Sequence, residues 1–381
     1  MKKILFIHTN YREQGGEDIA VENEIQFFKK FYDVEVIKFS NGKTNISDFV
    51  SFLSSSNKKS NKILKDKLQN FKPDVVYIHN TWFKASLGIF KVLKNFDTFV
   101  ILKLHNFRYY CTKSFFSTSH LNGKESCNAC GLDSKSLGFF NKYFKDSFIK
   151  SLFINIYGKR YFSLLKNFSM KILVLTDFHR SYLNNLGINK EKIAVFPNHI
   201  EVKKIKNFEK DNSIIYAGRV SKEKGVDELI NSFLNIPDNN SVLKIIGNGP
   251  DLNLLKKKYK NKKIKFLGEQ SNQRVMEEIK KSKGVVTATK LFEGQPTFLC
   301  EASSLSTPSV FPLSGGIKEF FPESYIYSFE QFDYQDLEEK LKMLINDDSL
   351  LTQGEENRRH LEFLLNEEKL INNFNELING K

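Results

Sequence analysis

Four cysteines in 381 residues are too few to staple a chain of this size, so a disulfide framework is excluded and a reducing compartment fits. Long apolar runs are missing too. No segment approaches the roughly 18 to 20 apolar residues that a membrane span needs, which leaves a soluble or peripheral protein. The opening MKKILF starts like a secretory signal, but His8, Thr9 and Asn10 end its apolar run before an h-region forms, and a cytoplasmic protein is expected. Acidic side chains are the minority, 44 against 58 basic, and the net charge of +14 favours polyanionic partners. Charge alone does not choose among nucleic acid, an anionic membrane surface and phosphorylated substrates. No nucleic-acid recognition motif accompanies it, so nucleic acid is not an expected partner. A third glycine is missing after Val242–Pro250 (VLKIIGNGP), since position 252 is Leu, and this excludes a nicotinamide fingerprint.

What is present is a length too great for one ordinary core, which predicts two domains of roughly 180 residues each. Lys2–Thr9, Val34–Phe39, Asp74–Asn80, Phe99–Asn106, Ile172–Asp177 and Ile193–Asn198 read as strands of the first domain. Ser213–Arg219, Val242–Pro250, Lys263–Gly268 and Lys283–Thr289 read as strands of the second. Ile46–Lys72 is polar, Lys-rich and helical by pattern, and Glu201–Asn212 reads as an interdomain linker. The tail Gln335–Gly380 is helical, with Glu356–Ile378 expected to cross back to the first domain.

The chemistry concentrates in Leu291–Glu301, LFEGQPTFLCE, where Glu293 and Glu301 stand eight positions apart around a turn that opens a helix. Pro296 suits the first helical position. The unpaired amides near Gln295, Pro296 and Thr297, together with the helix dipole, would favour a diphosphate. Glu293, beside Gly294, would then be free to meet a sugar, and Glu301 could accept hydrogen bonds from ribose hydroxyls. The loop after Ser213–Ala217 reads Gly218-Arg219-Val220-Ser221-Lys222-Glu223-Lys224-Gly225. Arg219 can fork onto phosphate oxygens and Lys224 can add a point charge, a pairing suited to a departing diphosphate without a metal.

The E-x7-E pair, followed by Thr307-Pro308-Ser309-Val310 and Ser314-Gly315-Gly316 with Glu319, resembles the retaining GT-B glycosyltransferases of family 4. G-R-x4-K-G after a strand is similar to the same family. The resemblance implies an α/β GT-B fold: two Rossmann-like domains, 1–200 and 201–365, with a cleft between them, and a C-terminal helix, 366–381, packing back on the first domain. It implies transfer of a sugar from a nucleoside-diphosphate sugar to an acceptor hydroxyl, with no cofactor and no catalytic metal. Glu293 orients the sugar, Arg219 and Lys224 stabilise the leaving diphosphate, and His105, at the end of the fourth strand, hydrogen-bonds the donor sugar. Gly15-Gly16 resembles the glycine turn that brings the first loop near the diphosphate, an ordinary turn being the other reading. Pro197-Asn198 resembles the family's junction motif and places Asn198 at the donor site. His79, at the end of the third strand, reads otherwise as a histidine tying a loop to backbone carbonyls.

Cys111, His120, Cys127 and Cys130 lie on one long loop, similar to an insertion in some bacterial surface-polysaccharide transferases. Structural zinc on Cys111, Cys127 and Cys130 is one reading, and free thiols packed in a substrate loop are the other. Leu137–Lys171 interleaves aromatics with Lys142, Lys145, Lys150, Lys159, Arg160 and Lys166 and reads as a basic aromatic helix pair, facing either the core or lipid headgroups. Together with the resemblance this places the chain peripherally on the inner face of the cytoplasmic membrane, acting on a lipid-linked saccharide. A nucleotide-sugar epimerase is the rival with the same fold, and a basic nucleic-acid-binding protein the rival from another class.

Overall fold

A computed structural model describes the chain except residues 11–15, 42–50, 52–53, 83, 108–126, 130–147, 203–208, 238–239 and 381, and except the side chains of residues 148, 150, 151 and 155. Gly15, Cys111, Cys130, His120, Lys142 and Lys145 lie outside the described residues, and with them two of the three cysteines of the expected zinc set; the third, Cys127, is buried. Two units divide the chain: Met1–His199 with Glu367–Lys381, and Ile200–Asn366.

In the first unit, β1 (Lys3–Asn10), α1 (Gly16–Lys29), β2 (Asp33–Ser40), α2 (Lys58–Phe71), β3 (Val75–Ile78), α3 (Gly88–Leu93), β4 (Phe99–Leu104), α4 (Phe148–Asn167), β5 (Lys171–Val174), α5 (Asp177–Asn185) and β6 (Ile193–Val195) alternate. The strands form one parallel sheet in the order β2-β1-β3-β4-β5-β6. Helices cover both faces of such a sheet, so its strands read as continuous apolar runs, and all of Ile4–Thr9 is buried. Helix α2 shows how local signals set its ends. The Asn57 side chain accepts from the amides of Lys59 and Ser60, Leu64, Leu68 and Phe71 turn inward, and Lys72 stops the helix in the left-handed region.

The last helix of the chain, α12 (Glu367–Asn379), belongs to this first unit. Its Leu370, Ile371, Phe374 and Ile378 pack with Phe6, Ile25, Phe28 and Tyr77 in one core. The sequence pattern starts the crossing at Glu356. Instead α11 (Leu350–Leu364) buries Leu361 in the core of the second unit, and the crossing segment is α12 alone.

The second unit contains β7 (Ser213–Ala217), α6 (Val226–Asn235), β8 (Val242–Ile246), α7 (Leu252–Lys258), β9 (Ile264–Gly268), α8 (Asn272–Lys281), β10 (Gly284–Val286), α9 (Thr297–Ser304), β11 (Ser309–Pro312), β12 (Ser328–Phe329) and α10 (Tyr334–Asn346), with α11 after them. Its sheet runs β12-β11-β10-β7-β8-β9, all parallel. Winding reverses between β7 and β10 here and between β1 and β3 in the first unit. Crevices at such reversals, beyond the carboxyl ends of the strands, are where doubly wound sheets bind ligands.

Candidate functional site

In the second unit the loop after β7 and the loop after β10 flank that reversal, and they carry the expected residues. Residues Lys222–Lys224 form a short 3-10 turn, closed by Gly225 at φ +67°. A Cβ on Gly225 would stand 2.1 Å from the Ala288 carbonyl oxygen, so only glycine allows the two loops this close. The Lys290 amide donates to the Glu223 carbonyl at 2.9 Å and ties them further.

The outcome is direct contact between two of the predicted groups. Lys224 Nζ lies 2.5 Å from Glu293 Oε1, and Thr289 Oγ1 donates to the same oxygen at 3.1 Å. Glu293 is therefore held by a cation through Oε1. Its Oε2 makes no hydrogen bond among the described residues. The pair is about a quarter to a third exposed, so it adds little stability, on the order of 0 to 1 kcal/mol. Its value lies in position. The Glu293 backbone is clamped as well: its carbonyl accepts from Gly316 N at 2.8 Å, and a Cβ at Gly315, φ +63°, would meet that oxygen at 2.3 Å.

Arg219 is exposed, and its guanidinium makes no ion pair or hydrogen bond among the described residues. Its backbone is fixed by Tyr216, whose hydroxyl donates to the Arg219 carbonyl at 2.8 Å, while the Gly218 amide donates to the Ile246 carbonyl at 3.0 Å. Pro296 is the residue before α9, not its first residue; its backbone is extended, and Thr297 opens the helix. Gly294 and Gln295 are buried behind Glu293. The first-turn amides of α9 have no intrahelical acceptor. Glu301 is half-buried, and Asn272 donates to its Oε1 at 3.3 Å. Burial pushes its carboxyl pKa up, against the pull of that hydrogen bond.

The first unit holds His105, Gly16 and Asn198. Gly16 is the exposed first residue of α1, and Asn198 is buried just beyond β6. His105 lines a pocket with Glu17, Asn80, Trp82, Asn106 and Tyr157. His79 does not tie a loop to carbonyls: its Nδ1 shares a 2.9 Å hydrogen bond with His105 Nε2. Burial holds both imidazoles well below the usual histidine range, and the nearby Lys103 adds to this.

Beside them is a network that the motif reading missed. Lys103 and Glu24 pair in the interior, Tyr77 donates to Glu24 at 2.8 Å, and His8 Nε2 bonds Asp18 Oδ1 at 2.8 Å. The signal was there: Lys103 is the lone charge in the strand FVILKL, and Glu24 faces the core from α1 between Val21 and Phe27. In α4, Tyr157, Tyr161 and Leu165 are buried while Ile149, Lys159 and Arg160 are exposed, so Tyr157 and Tyr161 serve the interior.

Residues 198–361, nearly the whole second unit, match the family described as glycosyl transferases group 1. The GT-B fold is shown by whole-chain likeness to solved structures. Anabaena HepE in complex with UDP and glucose superposes with a TM-score of 0.72 at 12% identity, covering 100% of both chains. The lipopolysaccharide outer core galactosyltransferase WaaB gives 0.66 at 18% identity and 99% of each chain. In sequence, the amylovoran biosynthesis glycosyltransferase AmsD of Erwinia amylovora is 27% identical over 149 residues, 37% of this chain and 42% of that protein. The chain thus matches less than half the length of that relative. These findings support a GT-B glycosyltransferase.

Proposed function

We propose that the protein is a metal-independent, retaining hexosyltransferase of the family 4 type, moving a sugar from a nucleoside-diphosphate sugar to a hydroxyl of a lipid-linked saccharide in cell-surface polysaccharide assembly. The observation that carries this reading is the Lys224–Glu293 pair, set where the winding of the second sheet reverses, with Arg219 exposed on the same loop as Lys224. Arg219, Lys224 and the amides at the start of α9 take up the negative charge that grows on the departing diphosphate. The bond from the anomeric carbon to the phosphate oxygen breaks, and the acceptor oxygen bonds on the same face. The acceptor's proton passes to the leaving diphosphate. Glu293, held through Oε1, offers Oε2 to a sugar hydroxyl, Glu301 accepts from the ribose, and His105 donates to the sugar.

The printed names of the relatives guide the choice of substrates. One solved neighbour holds UDP and glucose, one relative serves amylovoran biosynthesis and another transfers galactose to lipopolysaccharide, so UDP-hexoses and lipid-linked saccharides come first. Thermal shift against UDP-, GDP-, ADP- and CMP-sugars should single out one class, because a donor held at about 100 times its Kd stabilises the fold by about 2.7 kcal/mol. Product NMR with a polyprenyl-diphosphate saccharide should then show the donor's anomeric configuration. Inversion, or sugar epimerised without an acceptor, overturns the reading.

A peripheral position on the inner face of the membrane belongs to the same proposal. Among the described residues no helix is long and apolar enough to cross a membrane, and the exposed Ile149, Lys159 and Arg160 of α4 are its described support. Reversing the charge of Lys142, Lys145 and Lys150 should release the protein from anionic vesicles with its donor-induced shift intact. Equal binding by variant and wild type removes the membrane from the reading.

A further inference from the structure

Three neighbouring strands of the first unit bring imidazoles to the same end of the sheet: His8 in β1, His79 directly after β3 and His105 directly after β4. The His79 and His105 rings stack with centroids 5.2 Å apart, joined by the bond from His79 Nδ1 to His105 Nε2. Only one proton sits in that bond. Burial keeps both rings neutral, which leaves two arrangements. In one, His79 donates from Nδ1 and its Nε2 is a bare lone pair. In the other, His105 donates from Nε2 and His79 carries its proton on Nε2.

The surroundings decide between them. His79 Nε2 is buried and has no hydrogen-bond partner among the described residues. The second arrangement would bury an orphaned N–H there, whereas the first leaves only an unused acceptor, the less costly and more frequent defect. Glu24 Oε2 lies 4.0 Å from His79 Nδ1, too far for a hydrogen bond but close enough for its charge to favour a proton on that nitrogen. Lys103 neutralises much of this charge, so the orphaned N–H weighs more. With His105 Nε2 accepting, the proton of His105 must sit on Nδ1.

We propose that His79 is a positioning residue that locks His105 as the Nδ1–H tautomer, so that His105 presents a hydrogen-bond donor to an acceptor oxygen in the pocket it lines. Glycosyl transfer supplies the identity of that oxygen, a sugar hydroxyl or ring oxygen. The tautomer itself does not depend on that reading. Asn80, Asn106 and Glu17 at the same pocket suit a polyhydroxylated ligand, and Trp82 gives it an apolar wall.

The test is long-range proton–nitrogen correlation on histidine-labelled protein, with His105 assigned by loss of its signals in His105→Gln. Wild type should show a protonated Nδ1 and a bare Nε2 on His105. His79→Phe keeps a ring to stack on Phe6 and Tyr77, at 5.6 and 4.7 Å from the present imidazole, but removes the donor. It should release His105 into the Nε2–H form or a mixture. His79→Asn, with an amide where Nδ1 stands, should restore the Nδ1–H form. Transfer should follow: kcat/KM falls about tenfold in His79→Phe, the weight of one lost hydrogen bond, and recovers in His79→Asn. A wild-type His105 protonated on Nε2 overturns the proposal, and so does an unchanged tautomer in His79→Phe. Should His79→Phe fail to fold, the wild-type and His79→Asn spectra decide alone. Absence of transfer with every donor, beside the expected spectra, would count against the glycosyltransferase reading and not against the tautomer.

Discussion

Lys103 and Glu24 form a fully buried ion pair, with Lys103 Nζ 2.8 and 3.0 Å from the two carboxylate oxygens. Burial lowers the ammonium's pKa, and Glu24 opposes that shift. Such a pair is weak evidence of net stability but costly to break, since either partner alone becomes an unpaired buried charge. Lys103→Met should lower unfolding stability by about 3 to 5 kcal/mol, and adding Glu24→Leu should restore much of it. Urea denaturation of the single and double variants measures both. A single variant within about 1 kcal/mol of wild type would mean the pair does not form in solution.

Arg219→Ala and Lys224→Ala should each lower turnover at saturating donor by roughly 10²- to 10³-fold, as when one preorganised charge is removed from a developing anion. Because Lys224 also holds Glu293, the losses in Lys224→Ala and Glu293→Gln should fall short of additive in the double variant. Near wild-type rates in both single variants would move the diphosphate elsewhere.

These two pairs were unequally legible. Glu293, Lys224 and Arg219 each lie in a short motif at a strand end, where a few neighbouring residues carry the signal. Their contact was not legible, because Lys224 and Glu293 stand 69 positions apart and meet through the packing of Gly225 on Ala288 and the Lys290–Glu223 backbone hydrogen bond. Lys103 and Glu24 belong to no local motif; a lone charge in an apolar strand says that a partner exists without saying where. Tyr157 and Tyr161 alternate with exposed cations, and sequence spacing alone could not tell a core-facing side from a lipid-facing one. Among the elements, the long apolar strands were clear, while β12 (Ser328–Phe329) is too short to carry a pattern.

The end of the chain should matter for stability of the first unit. Phe374 is fully buried against Phe28, with ring centroids 4.6 Å apart. Phe374→Ala should cost about 3 to 5 kcal/mol, read as a fall in the urea midpoint. A loss under about 1 kcal/mol would mean that α12 does not hold this place in solution.

Transfer should persist in EDTA, because Arg219, Lys224 and the amides at the start of α9 supply the positive charge that a divalent ion would otherwise give. Activity assayed after chelation and again with added magnesium or manganese checks this. Loss restored by either ion would sink metal independence.

Stability should fall steeply as pH drops below about 6.5. Burial lowers the pKa of His8, His79, His105 and His179, the last to about 3. The sign follows from proton counts. Between the unfolded value and the lower folded one, the unfolded chain binds protons that the folded chain does not, so stability is full above about pH 6.5 and drains below it. Each such histidine contributes up to about 1.4 kcal/mol per pH unit. Glu301 acts in the opposite sense, since its raised pKa favours the folded state as the carboxyl protonates. Glu355, lowered to about 2, takes effect only below the ordinary carboxylate range of about 4.3. Urea unfolding at about pH 7.5 and about pH 5.5 should therefore differ by several kcal/mol, and His179→Leu should flatten the slope by about 1.4 kcal/mol per unit whatever it costs at neutral pH. Equal stability at the two pH values would show that these imidazoles are not buried neutral in the folded protein.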